Sequence, residues 1–393
     1  MSARSIEMLV SPPLLSWARA SVGLDVSSAA RKVHVASRKI ESWESGATKP
    51  TLTQAEKLAS VYRRPLATFY LPRPPIEPSL PTDFRVLAEH QGQPLSYETR
   101  LAIRRAWRLQ STAEELLVAL NRETKVTLPK LRLSSGPDDE AARVRQALGI
   151  GVEDQYSWHD PYEALRRWRA GIERSGVLVF QLPTPLKDTR GFSLPSRRAP
   201  AIVVSSKDHP RARQFSLFHE LAHLLTDTSA LCDMEITWGG HDREHQAVEK
   251  FCNQFAGAVL VPQDALLAQE LVKPIRRPKP WSDEALSELS DRFKVSREVI
   301  LRRLLDLKLA TRDLYLRKRE DWMELARRQP KKKSKGGQSP AKRCVYEQGV
   351  PYVALVLESL GGDKITYAQA TDYLGVRAKH LAKIAEVMVD TKG

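Results

Sequence analysis

The chain has 393 residues, 42% of them apolar and 28% charged, enough for two to four ordinary globular domains; no run of roughly 18 apolar residues exists to cross a membrane. The first twenty residues lack the apolar core and cleavage signature of a secretion signal, and three cysteines (Cys232, Cys252, Cys344) make no disulfide framework, so a reducing cytoplasm is the expected compartment. A net charge of +15 favours an anionic partner, with eleven Lys/Arg against five Asp/Glu in residues 1–75 and eight basic residues but no acidic one in 327–343.

Along the chain, residues 13–66 read as four or five short helices. Leu14, Trp17 and Ala18 share one face, a tight turn falls near His34, and a helical period resumes through Leu52, Ala55, Leu58 and Val61. The following RRPLATFYLPRPPIEP reads as an extended connection because of its prolines. Residues 96–175 look helical, broken at 134–139. Three β-like segments follow at 176–182, 190–194 and 201–206, then a helix through His219 and a second from about Arg243 to Leu260, which stops before Pro262. Residues 281–308 are helical in two pieces, with Trp281 and Trp322 as core or interface aromatics. The lysine-rich stretch 328–343 has no apolar period and reads as a flexible linker. A small helical unit ends the chain. Its segment 365–384 has the rhythm of a helix-turn-helix and is read as a packing or oligomerisation unit in preference to a DNA reader. No fixed-period repeat is present.

The segment His219-Glu220-Leu221-Ala222-His223 carries the clearest chemistry. Histidines four apart share one face of a helix, so both imidazoles reach one ion, and the glutamate beside the first can act as general base. Zinc is the expected metal, since it takes two imidazoles and a carboxylate and leaves one position open. Phe215, Phe218, Leu221, Ala222, Leu224 and Leu225 make this helix apolar nearly all round, where unpaired imidazoles would be costly and coordination removes much of that cost. A third ligand must come from elsewhere. Glu249, on the stripe of the next helix with Cys252, Asn253 and Ala256, is the first choice; His245 is its rival, and Cys232 and His241 are weaker ones.

ARQFSLFHELAHLL and EKFCNQFAGAVLVP resemble the HExxH helix and the later E-x-x-A-N-x-F-A-x-x-L-x-x-P helix of the ImmA/IrrE family of zinc metallopeptidases. Cys252 stands where that family usually has alanine, and Val259 where it usually has leucine. The resemblance implies His219, His223 and Glu249 as ligands of one Zn2+ and Glu220 as general base. It also implies AIVVSS as an edge strand to which a substrate peptide adds. His159, Arg190 and His245 are candidate oxyanion donors.

Residues 26–62 resemble the Cro/C1-type (XRE-like) helix-turn-helix, through Ala30, the turn near His34, Val35, Ile40, Trp43, Glu44 and the Gly46–Pro50 turn. The second helix of that pair, about Ala36–Glu44, would offer Ser37, Arg38 and Lys39 to a major groove, with Lys49 as a phosphate neighbour. Together the resemblances imply an α+β, mainly helical protein. Its parts would be a helix-turn-helix domain (1–75), a helical connector (76–170), a zincin-like core with a small mixed or antiparallel sheet (171–270), a helical extension (271–327), the linker (328–343) and the terminal unit (344–393). The implied function is a zinc endopeptidase cleaving a transcriptional repressor or similar regulator, with double-stranded DNA as a further partner. The competing reading is a DNA-binding regulator, or an antitoxin-like binding protein, whose metal site is structural or inactive.

Overall fold

The computed structural model describes residues 6–75, 95–226, 242–328 and 338–390, and these are mainly helical with one three-stranded mixed sheet, an α+β architecture. The chain divides into two compact units. One holds the described residues up to 75 together with 95–105, the other the described residues from 106 onward.

The first unit is built on helices α1 (Pro12–Ser21), α2 (Val26–Val33), α3 (Ser37–Glu44) and α4 (Leu52–Tyr62). Their starts follow from local chemistry: Pro12 opens α1, Asp25 accepts the Ser28 amide ahead of α2, and Thr51 with Gln54 forms a capping box on α4. His34 ends α2 in the left-handed region (φ 62°), which a histidine can enter at modest cost. Leu15, Val22, Val33, Ile40, Trp43, Leu58 and Tyr62 pack as one core. The segment expected to be extended after α4 instead makes a 3-10 turn, Leu66–Tyr70, that delivers Phe69 to this core. Burying an aromatic ring outweighs the local proline signal there. Helix α5 (Tyr97–Ala119) begins in this unit, where the Tyr97 hydroxyl donates to the Val61 carbonyl at 2.6 Å.

In the second unit α6 (Pro137–Leu148), α7 (Val152–Ser157) and α8 (Pro161–Arg174) lead to strands β1 (Leu178–Leu182), β2 (Gly191–Leu194) and β3 (Ala201–Ser205). Helices α9 (Pro210–Leu225), α10 (Asp242–Leu260), α11 (Gln263–Leu267), α12 (Asp283–Phe293), α13 (Arg297–Asp306) and α14 (Arg312–Arg328) follow, then α15 (Pro340–Gln348), α16 (Val350–Gly361), α17 (Tyr367–Leu374) and α18 (Leu381–Asp390). The strand order is β1-β3-β2, with β1 parallel and β2 antiparallel to β3, and Phe180, Val203 and Phe192 stand side by side. Alternation along each strand puts Val179, Ile202 and Val204 in the core with Leu217 and Leu221 of α9, while Phe180 turns the other way to meet the Tyr352 ring of α16 at 5.9 Å.

Two expectations change here. AIVVSS is not an edge strand: β3 lies in the middle, its sides taken by β1 and β2. Its five residues are all buried, the pattern of a strand covered on both faces. The expected linker also ends early. Helix α15 opens at Pro340, with Ser339 accepting the Lys342 amide, so a Ser-Pro helix start lay hidden in the basic run. Residues 329–337 lie outside the described residues. Helix α15 is fixed to the sheet through Tyr346, whose carbonyl accepts from Arg169 (2.6 Å) and Gln181 (3.2 Å) and whose hydroxyl accepts from Arg213.

Candidate metal centre

Helix α9 begins with His209 as its cap, Nδ1 accepting from the Arg211 amide at 3.3 Å, and Pro210 in its first turn. Several of its polar residues are buried along with its apolar ones, and two of them tie it to its neighbours. Arg213 donates to Gln181 of β1 at 2.6 Å, and Gln214 to the carbonyls of Pro161 (3.1 Å) and Lys294 (3.2 Å). Phe218 meets the Trp168 ring edge-on at 5.0 Å. Past the helix end, the Leu131 amide donates to the Leu225 carbonyl at 2.9 Å. The helix bearing His219, Glu220 and His223 is thus held at both ends and on its flanks, and all three residues are buried.

Helix α10 is held as firmly at the end beyond Glu249. Buried side chains from three other helices take its last carbonyls: Arg145 bonds Val259 O (2.7 Å), Gln155 bonds Leu260 O (2.8 Å) and Arg303 bonds Val261 O (2.9 Å). One turn past Glu249, Asn253 donates to the Glu249 carbonyl at 2.7 Å. Phe251 and Phe255 face the core, as their spacing implies.

These two helices bring three donor side chains together. His219 Nε2 and His223 Nε2 are 3.2 Å apart; Glu249 Oε1 is 3.2 Å from His223 Nε2, and Oε2 is 3.6 Å from His219 Nε2. Ligands about 2.05 Å from a tetrahedral zinc lie about 3.3–3.4 Å from one another, and the separations here, with the two Glu249 oxygens each facing one histidine, are close to that spacing. The residues therefore fit a zinc ion in number, chemistry and spacing. Burial opposes a charge on His223, yet Cys252, Glu249 and Glu220 beside it raise the imidazole to about 11. The cluster draws in positive charge, whether proton or metal. Burial pushes the Cys252 thiol up, with His223 opposing, so in the absence of a metal this cysteine is a protonated neighbour of the cluster.

Glu220 points to β2. A Cβ on Gly191 would lie 3.2 Å from Glu220 Cγ, 3.3 Å from its Oε1 and 2.9 Å from the Val203 carbonyl oxygen. Gly191 is thus the floor beneath the Glu220 carboxylate, a role the sequence did not reveal. The only hint was a glycine opening a short strand, which marks a close approach of some kind.

The remaining expected residues are scattered. His159 is exposed and engages Glu163 only through its backbone amide. Arg190 pairs with Asp208 at 2.6 Å. The His245 side chain, Cys232 and His241 lie outside the described residues. Trp281 is buried, with its indole donating to Leu309 O at 2.9 Å. In the first unit Arg38, Lys39 and Lys49 are exposed and Ser37 is half-buried, while Glu44 accepts from Arg19 Nε at 2.7 Å and Nη2 at 2.8 Å. No described helix is long and apolar enough to cross a membrane.

Residues 172–305, which include the whole triangle and Glu220, match the Peptidase_M78 family, described as the IrrE N-terminal-like domain. The radiation response metalloprotease IrrE of Deinococcus radiodurans is 33% identical over 97 residues, 24% of this chain and 27% of that protein. Its namesake in Deinococcus deserti is 34% identical over 97 residues, 24% of this chain and 32% of the relative. The chain thus spans about a third or less of the length of these relatives. The likenesses support the ImmA/IrrE resemblance and a domain of metallopeptidase type.

Proposed function

We propose that the protein is a zinc-dependent endopeptidase of the HExxH type that cleaves a transcriptional repressor or similar regulator in the cytoplasm. The observation that carries this reading is the His219–His223–Glu249 triangle with Glu220 buried on the same helix. Bound there, zinc supplies a Lewis acid for the scissile carbonyl and makes water more acidic. Glu220 accepts the proton of the attacking water at its carboxylate and passes it to the departing amine. Gly191 leaves the space in which that carboxylate lies, and the buried surroundings keep bulk water from competing for it.

The first unit acts in this reading as a Cro/C1-type helix-turn-helix. Its support is the left-handed turn at His34, the buried Ile40 and Trp43, and the exposed Arg38 and Lys39 near the start of α3, with Lys49 as a phosphate contact. A regulator bound at an operator would then be met where it acts.

The test is co-expression with candidate small regulators, taken first from neighbouring reading frames. Wild type and Glu220→Gln should both retain one zinc per chain, and only wild type should cleave the regulator. Intact regulators in the presence of zinc-loaded wild type would instead favour a DNA-binding protein with a structural metal site.

A further inference from the structure

The end of the chain follows the backbone and burial pattern of the α2–α3 pair of the first unit at a constant offset, although few of the residues are the same. Ahead of each first helix a cap accepts the amide three residues on, Asp25 from Ser28 and Thr366 from Gln369. Both first helices have eight residues. Each ends on a left-handed residue, His34 at φ 62° and Gly375 at φ 63°, where glycine is the less strained choice. A half-buried valine follows in each, its amide reaching back 3.0 Å to a carbonyl in the last turn: Val35 to Ala30, Val376 to Thr371. Ala29, Val33, Ile40 and Trp43 are buried in the one pair, Ala370, Leu374, Leu381 and Ile384 in the other. The departure is local: a 3-10 turn, Ala378–His380, stands where α3 is already α-helical, and then α18 begins.

On the solvent face the match is partial, Arg377 standing where Ala36 is and His380 where Lys39 is. Lys379 falls where Arg38 stands, and Arg377, Ala378, Lys379, Ala382 and Lys383 are all exposed. Arg377 and Lys379 make no ion pair with any described residue, whereas Lys383 is engaged by Glu386 at 2.5 Å. Asp372, the acidic group of α17, is taken by Arg108 at 2.5 Å. Packing needs are met on the opposite side by Leu381, Ile384 and Met388. What remains is a basic end at the start of the second helix, Arg377 and Lys379, beside which two alanines allow close approach, with Lys383 and the exposed Glu386 balancing each other further along; a run of eight basic and no acidic residues lies earlier in the chain, at 327–343. A polyanion of regular shape suits such an end, and the first residues of the second helix are those that enter a major groove.

We infer that residues 366–390 form a second helix-turn-helix that contacts double-stranded DNA, with Arg377 and Lys379 as its principal contacts. The inference rests on the reading of α2–α3 as a DNA-contacting pair, and one experiment separates the two. Full-length protein is titrated onto a labelled mixed-sequence duplex of about 30 base pairs, and anisotropy is followed through a salt series. Arg377→Ala/Lys379→Ala should weaken binding at least fivefold and flatten the slope of log K against log salt by about two. Arg38→Ala/Lys39→Ala should do the same, whereas Arg166→Ala/Arg167→Ala, which removes an equal exposed charge from α8, should stay within twofold. Circular dichroism should be unchanged, since all six side chains are exposed. If Arg377→Ala/Lys379→Ala matches the α8 control, the C-terminal inference is overturned. If only Arg38→Ala/Lys39→Ala matches it, the inference stands and the first unit loses its DNA role.

Discussion

Gly191 shows how much of this centre depends on a residue with no chemistry of its own. Its backbone is in a conformation open to any residue, so glycine is required there for space alone. The Val203 carbonyl belongs to the middle strand and cannot retreat, and Thr189 Oγ1 pins the Gly191 carbonyl at 2.6 Å, so an added methyl displaces Glu220 instead. Misplacing a catalytic group by about 1 Å can cost on the order of a hundredfold in rate. Gly191→Ala should therefore slow regulator cleavage at least tenfold while zinc content stays at the wild-type level; loss of zinc in parallel would refute this role. At this scale the sequence was legible where chemistry repeats at helical spacing, as in His219, Glu220 and His223. It was silent on Gly191 because only the fold brings the start of β2 beneath α9.

Helices α9 and α10 position the centre through their ends, and one of those ends titrates. Burial, with the Arg211 charge adding to it, holds the His209 imidazole below its ordinary 6.5. A depressed value means that the unfolded chain binds the extra proton more readily, so the stability from neutral His209 is present above pH 6.5 and is lost as pH falls through the folded value. Asparagine also caps helices and does not titrate. His209→Asn should accordingly lose less melting temperature than wild type between about pH 7.5 and pH 5.5; equal losses would remove His209 from the account. Most helices were readable from apolar spacing and from the prolines and turns that interrupt it, signals that act over a few residues. Phe69 and β3 were misjudged for the opposite reason. A 3-10 turn and a middle strand are fixed by what packs over them, and the segment's own residues do not show that.

Across the second unit, the C-terminal helices are bound to the sheet by a buried polar knot around Arg169. This guanidinium donates to Glu173 (2.8 Å), to Tyr346 O (2.6 Å) and to Val179 O (2.5 Å), tying α8, α15 and β1 together. Burial raises the Glu173 carboxyl above its ordinary value and Arg169 opposes this, so removing the arginine strands a buried acid and two carbonyls. Breaking a buried pair from one side costs about 3–5 kcal/mol. Arg169→Ala should lower the melting temperature by on the order of 10 °C, and adding Glu173→Gln should restore part of it. A shift within error would mean that the C-terminal helices hold by apolar contact alone. The central claim is more local: two histidines and Glu249 hold one zinc with a position left open, and Cys252 stands by without binding it. Zinc K-edge X-ray absorption of the purified wild-type protein tests it most directly. The spectrum should show a first shell of nitrogen and oxygen only, at about 2.0–2.1 Å, with the outer-shell pattern of two imidazoles; sulfur at about 2.3 Å, or no imidazole pattern, would contradict it.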